Sequence, residues 1–397
     1  MHRGNRRVIL TTVRYYLPGF KSGGPIRTIA NMVDRLGDEF RFRIITADRD
    51  ALDDVPYANA TAGAWNSLGK ARVYYIPERI RSARLLIRLI KETPHDLLYL
   101  NSFFNPVFTW VPLVARSMGL IPKRPVVIAP RGEFSPGALA LKPWKKVVFQ
   151  KISQQLGIYD GLLWQASSPC ESADIRRVMG STAGRITIAP DVSPAPSAFT
   201  PEPKKPALQT SDALRIVFLS RIDPMKNLRG ALEILTRANH KVIFHIYGPI
   251  EGPNYWRECR SVMAGLPPRV RVEYKGAVPH ERVHEILAQY DLFFLPTFGE
   301  NFGHVILEAW LSGCPVLLSD KTPWRDLASK GIGWDLPLSE PNRFLDAIET
   351  MARMGQAERN RLSQQARRYA LHQVENADTI ELNRRLFLEA CAPSSEH

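Results

Sequence analysis

Cysteine is scarce in this chain. Its four residues, Cys170, Cys259, Cys314 and Cys391, include no pair at the short spacing of metal ligands. That argues against a zinc module or a disulfide scaffold, and a reducing cytoplasm is the expected compartment. Long apolar runs are missing too. The longest, Phe103 to Ala115, is interrupted by Asn105 and Pro106, and it is too short for a bilayer core of about 30 Å. The start of the chain, MHRGNRRVILTTVRYY, is basic, but its apolar run breaks at Arg14. It reads as a first strand rather than a signal peptide, so any membrane association is expected to be peripheral. The dinucleotide fingerprint G-x-G-x-x-G does not occur, nor does a recognisable nucleic-acid module. Acid is in the minority: 39 Asp and Glu face 53 Lys and Arg, a formal net charge of +14. Such an excess favours anionic partners, among them nucleotide diphosphates and anionic lipid.

What is present is an ordinary globular composition, 45% hydrophobic and 23% charged over 397 residues. At roughly 100–200 residues per domain, that length suggests two. Short apolar runs alternate with helical patterns. In the first half the strand candidates are Arg7 to Val13, Arg41 to Ala47, Arg72 to Pro77, Leu97 to Ser102, Pro125 to Pro130 and Gly161 to Ala166. Alternation of this kind predicts a parallel, doubly wound sheet, with ligands at the carboxyl ends of its strands. A Pro-, Ser- and Ala-rich stretch over 193–212 reads as a linker. The pattern restarts at Leu214. The expected organisation is therefore a first domain over 1–192, a linker over 193–212, a second domain over 213–375, and a final helix and tail over 376–397 that could return to the first domain.

The organising stretch is FGENFGHVILEAWLSGCPVLLSD, Phe298 to Asp320. It reads as a loop after the strand DLFFLP, then a helix stopped by Gly313, then a second strand. The first amides of that helix, near Phe302 and Gly303, have no intrahelical partner and can hold a phosphate. Glu300 and Glu308 bracket them. Carboxylates on both sides of a phosphate make sense when each accepts hydrogen bonds from hydroxyls attached to it, a sugar on one side and a ribose on the other. Upstream, Arg221 and Lys226 follow the strand LRIVFL; cations near a helix start are disfavoured unless an anion binds there.

Glu300, Phe302, Gly303, Glu308 and Ala309 resemble the E-x7-E motif of retaining glycosyltransferases of family 4, and Arg221 with Lys226 resembles the R-x4-K pair of the same family. The resemblance implies an α/β GT-B fold, with two Rossmann-like parallel-sheet domains facing a central cleft. It implies transfer of a sugar from a nucleotide diphosphate sugar, UDP- or GDP-linked, to an acceptor hydroxyl with retention of configuration. The acceptor is expected to be lipid-linked or polysaccharide, of the bacterial exopolysaccharide or lipopolysaccharide type. Glu300, Arg221 and Lys226 would be catalytic. Glu308, Gly303, Phe302 and Asn301 would bind the donor, Gly276 and Val278 would receive the base, and Gly23 and Gly24 would approach the diphosphate. No cofactor or metal is expected.

Where the family has a His, this chain has Arg131. Arg131 is read either as a contact to donor sugar or acceptor phosphate or as a salt bridge to Glu133, and Glu133 as an orienting group for an acceptor hydroxyl. Asp48 and Asp50 form a D-x-D, read as a polar loop. Ser168 and Glu171 form a capping box. The helix Ile80 to Lys91 places Arg81, Arg84, Arg88 and Lys91 on one face, and a second basic segment holds Lys142, Lys145, Lys146 and Lys151. These are either a surface for an anionic membrane or a solvated face. Three other functions stay open: a glycoside hydrolase using Glu300 and Glu308, a GT-B nucleotide-sugar epimerase, and a non-catalytic nucleotide-sugar-binding subunit.

Overall fold

The computed structural model describes residues 6–140, 157–195 and 213–392. The basic segment around Lys142 to Lys151 and most of the linker, 196–212, lie outside those residues. The chain divides into two compact units, Met1–Pro194 with Asn376–His397, and Ala195–Glu375.

The first unit is built on an eight-stranded sheet. Its strands are β1 (Val8–Thr12), β2 (Arg41–Ala47), β3 (Trp65–Leu68), β4 (Ala71–Ile76), β5 (Leu97–Asn101), β6 (Val126–Ala129), β7 (Leu163–Ala166) and β8 (Arg185–Ile188), in the order β3-β4-β2-β1-β5-β6-β7-β8. Between them run α1 (Gly24–Leu36), α2 (Ala83–Glu92), α3 (Val111–Ser117), α4 (Pro136–Ala140) and α5 (Pro169–Met179). The expectation of a parallel sheet needs one correction. β3 is an antiparallel edge strand, paired with β4 from Trp65↔Tyr74 to Leu68↔Ala71. WNSL carries little of the apolar signal of a buried strand, because an edge strand buries less of itself.

Helix boundaries follow local chemistry. Pro25 sits in the first turn of α1, where a missing N–H costs nothing. Ser82 caps α2 by accepting from the Leu85 amide, so this helix starts at Ala83, later than its apolar periodicity suggests. Arg81 therefore lies before it, 2.6 Å from Glu78, and does not share the face of Arg84 and Arg88. Ser168 caps α5, accepting from the Glu171 amide at 3.1 Å. The Glu171 carboxylate does not complete a capping box. It accepts instead from the amides of Gly132 (2.6 Å) and Ser167 (2.7 Å), tying two strand-end loops together.

The second unit is a six-stranded parallel sheet of β9 (Leu214–Leu219), β10 (Val242–Tyr247), β11 (Val270–Gly276), β12 (Leu292–Leu295), β13 (Val316–Ser319) and β14 (Gly333–Leu336), in the order β11-β10-β9-β12-β13-β14. Its helices are α6 (Leu228–Leu235), α7 (Pro253–Ala264), α8 (Val283–Leu287), α9 (His304–Leu311), α10 (Pro341–Arg353) and α11 (Gln356–Glu375). The strands LFFL and VLLS are buried throughout, as expected for strands covered on both faces. The direction of winding reverses between β9 and β12, and the carboxyl ends of strands at such a reversal are where doubly wound sheets bind ligands.

A last helix, α12 (Ala377–Ala390), belongs to the first unit. Phe387 packs edge-on against Phe40, Phe42 and Tyr99, with ring centroids 5.3–6.1 Å apart. Asn383, fully buried, donates to the carbonyl of Pro190 at 2.8 Å and accepts from Gln165 at 3.1 Å.

Candidate functional site: the carboxyl end of the second sheet

Four loops at the carboxyl end of the second sheet bring the chemistry together. The loop after β9 carries Arg221 and Lys226. Asp223 caps the short turn Pro224–Lys226, accepting from the Met225 amide at 2.8 Å. Asn227 then adopts a left-handed conformation and caps α6 through Gly230. These two caps fix where Lys226 points. The loop after β12 is fastened from both sides. The Phe298 amide donates to Met225 O at 2.8 Å, and the Glu300 amide to Lys321 O at 3.0 Å. Asn227 holds the carbonyl of Pro296 at 2.9 Å. Lys226 and Glu300 are thereby brought into a direct ion pair, both side chains nearly buried.

Gly303, left-handed at φ 77°, opens α9 with no side-chain cap. A Cβ there would sit 2.6 Å from Ile306 Cδ1, so both conformation and space call for glycine. Gly303 has no side chain to cap α9, and the Ile306 amide turns back to Gly303 O at 2.8 Å. Phe302 anchors this turn: its carbonyl accepts from Trp324 Nε1 at 2.6 Å and its ring meets Trp324 edge-on. Asn301 is half-buried in the same turn. Glu308, one turn further along α9, is buried, with His280 Nδ1 3.5 Å from its Oε1.

Arg221 does not stand alone. Its Nη1 donates to both oxygens of Glu251, at 2.8 and 3.0 Å, and Asp223 lies 3.7 Å away. Burial disfavours the guanidinium charge, but Glu251 and Asp223 outweigh it and raise its pKa above the ordinary value. Strands β9 and β10 approach so closely at their ends that a Cβ on Gly248 would meet Ser220 O at 1.8 Å. That closeness brings Glu251 to Arg221. The end of β11 supplies Gly276, left-handed at φ 83°, and half-buried Val278; His280 follows them.

Sequence reasoning did not single out Glu251 or His280. Both sit in loops at strand carboxyl ends, which is the signal that would have found them.

In the first unit, Gly23 (φ 70°) precedes α1 and Gly24 opens it. The preceding loop is held by Asp50, which accepts from the amides of Phe20 (2.7 Å), Lys21 (3.0 Å) and Ala51 (2.8 Å). Asp48 pairs with Arg49. The two Asp of the D-x-D thus have separate local partners. Arg131 requires a correction: its partner is not Glu133. Left-handed at φ 56°, it turns inward to a buried ion pair with Asp191. It also bonds Tyr99 Oη and donates to Asn101 Oδ1 at 3.2 Å. Its charge is neutralised inside the unit. Glu133 accepts from Ser102 Oγ (2.7 Å) and from the amides of Phe103 and Phe104, so it fastens the loop after β5.

Two parallel-sheet α/β units, the second with this winding reversal and this loop cluster, define the GT-B class of glycosyltransferase fold. Anabaena HepE, solved with UDP and glucose, matches 96% of this chain and 99% of its own at a TM-score of 0.66 and 16% identity. Residues 200–369, most of the second unit, match the family model "Glycosyl transferases group 1". Among curated relatives, the phosphatidylinositol N-acetylglucosaminyltransferase GPI3 subunit of Saccharomyces cerevisiae is 29% identical over 146 residues, 34% of this chain and 31% of that protein. The O-antigen chain mannosyltransferase B of Escherichia coli is 31% identical over 113 residues, 27% and 28% respectively. The chain thus spans about a third of the length of the curated relatives it matches.

Proposed function

We propose that the protein is a retaining glycosyltransferase that takes a sugar from a nucleotide diphosphate sugar and delivers it to an acceptor hydroxyl. The observation that carries this reading is the meeting of Arg221, Lys226, Glu300, the uncapped start of α9 and Glu308 at the winding reversal of one sheet. In the structure the two cations are paired with carboxylates. A diphosphate arriving there takes over Lys226 and Arg221, and Glu300 turns to the hydroxyls of the sugar. Glu308 accepts from the ribose. The acceptor oxygen bonds to the anomeric carbon as the bond from that carbon to the diphosphate oxygen breaks, and the acceptor proton passes to the departing phosphate. The barrier lies in charge building on the diphosphate. Two fixed cations and oriented amides lower it without reorganising. They also supply the charge a metal would otherwise bring.

UDP or GDP is the expected carrier. A relative named an O-antigen mannosyltransferase supports a polysaccharide or lipid-linked acceptor. An anionic membrane is the expected surface, and features of the first unit support that reading. There α2 and α3 border an apolar groove of about 230 Å³ lined by Ile87, Trp110, Val114 and Met118, with Arg84 and Arg88 on the adjoining face of α2. A second reading, a nucleotide-sugar-binding subunit of a larger assembly, is favoured by the relative named as a subunit.

The test is thermal stability with UDP, GDP and ADP in EDTA. A ligand at about 100 times its Kd adds roughly 2.7 kcal/mol. One nucleotide is expected to raise Tm, with the effect lost in Arg221→Ala and Glu308→Ala, and the corresponding nucleotide sugar is expected to be consumed only with an acceptor. Stabilisation by none, or only with added metal, overturns the site. Nucleotide binding without turnover favours the subunit reading, and turnover without an acceptor favours an epimerase.

A further inference from the structure

The end of β11 and the start of α9 meet at a side chain that no motif marks. His280 begins the short turn His280–Arg282 that follows Gly276 and Val278. Its Nδ1 lies 3.5 Å from Oε1 of Glu308. The Glu308 side chain is only 7% exposed, so its carboxylate has given up most of its water. A carboxylate in that state is stable only where donors or a cation replace the solvent. The imidazole comes from a different strand end. It approaches Glu308 from the loop whose backbone is expected to receive the base.

We propose that His280 is a positioning residue of the nucleotide site: its ring N–H orients the Glu308 carboxylate toward the ribose diol and thereby sets the preference for ribose over deoxyribose. This inference rests on Glu308 being the ribose contact. A carboxylate reads a diol well only when its plane is fixed, because two hydroxyls must donate to it at once. α9 fixes the Glu308 backbone but leaves its side-chain torsions to be set by neighbours, and the imidazole is one such neighbour. The turn carrying His280 is itself pinned, with the Arg282 amide donating to Pro279 O at 3.1 Å. Base, ribose and carboxylate are then aligned by one short segment, Gly276 to His280.

The experiment measures nucleotide affinity by titration calorimetry on the full chain. The probes are UDP, GDP and ADP and their 2′,3′-dideoxy counterparts. Hydrogen bonds to a charged acceptor predict that the wild type binds its preferred ribonucleotide about tenfold or more tighter than the dideoxy form. His280→Phe keeps the ring and removes the donor. It is expected to collapse that ratio toward unity while dideoxy affinity stays at the wild-type value. His280→Asn keeps a donor near the Nδ1 position and is expected to retain most of the ratio. A role confined to holding the turn would weaken both ligands alike. If His280→Phe keeps the ratio while Glu308→Gln abolishes it, the role of His280 is overturned and the ribose contact stands. If Glu308→Gln also keeps the ratio, or no ribonucleotide binds the wild type, the ribose reading falls and the inference falls with it.

Discussion

Arg131 shows how a charged side chain at a strand end is absorbed by the fold. A guanidinium at the end of β6 is turned inward onto Asp191, with Tyr99 and Asn101 completing its shell. Both charges of the pair are buried. Removing one partner of such a pair leaves the other uncompensated, which costs about 3–5 kcal/mol. Arg131→Met is therefore expected to lower unfolding free energy by about that amount. Arg131→Met with Asp191→Leu is expected to recover most of the loss. Urea denaturation of the three proteins decides it. A residue needed only at the site would leave stability unchanged. This pairing was not legible in sequence: Glu133 is two positions away and Asp191 is sixty, and proximity along the chain favours the wrong partner. Arg221 and Lys226 were easier, because both fall in one loop behind an unmistakable strand.

At the scale of elements, α8 carries a titratable group inside the second unit. His284 Nδ1 lies 2.9 Å from Ser312 Oγ. Burial, reinforced by the Arg367 charge, pushes its pKa down to about 4 from 6.5. Above pH 6.5 the ring is neutral in folded and unfolded chains, and it costs nothing. As pH falls from 6.5 toward 4, the unfolded chain takes up a proton that the folded chain refuses, so stability drops, by at most about 1.4 kcal/mol per pH unit for one proton. His284→Asn is expected to flatten this part of the pH–stability curve, read by urea titrations at pH 7, 6, 5 and 4.5. An unchanged slope rules out His284 as its source. Elements themselves were mostly legible, since short apolar strands and capped helices announce themselves locally. The exceptions were β3, an edge strand with little to bury, and the start of α2, where Ser82 rather than the apolar period set the boundary.

At the scale of the whole molecule, the net charge of +14 and the groove between α2 and α3 bear on the membrane reading. No helix among the described residues is long and apolar enough to cross a bilayer. Sedimentation with vesicles of anionic lipid is expected at about 0.1 M salt and is expected to vanish near 1 M, where the screening length falls to about 3 Å. Neutral vesicles should not bind. Arg84→Glu with Arg88→Glu should weaken binding without lowering Tm, because both side chains are exposed. Binding to neutral vesicles alone, or none at low salt, would remove the surface from consideration.

The sequence by itself determined what depends on neighbours along the chain. That includes the alternation of strand and helix, hence two α/β sheets that are parallel apart from the edge strand β3, and the glycines and caps that shape the loop from Phe298 to Gly303. The tertiary structure decided what depends on distant segments meeting. It returned α12 to the first unit through Phe387 and Asn383, paired Arg131 with Asp191, set Glu251 against Arg221, and brought His280 to Glu308. A buried charge selects its partner by position in three dimensions, because burial removes the solvent that would otherwise satisfy it. No periodicity records that choice.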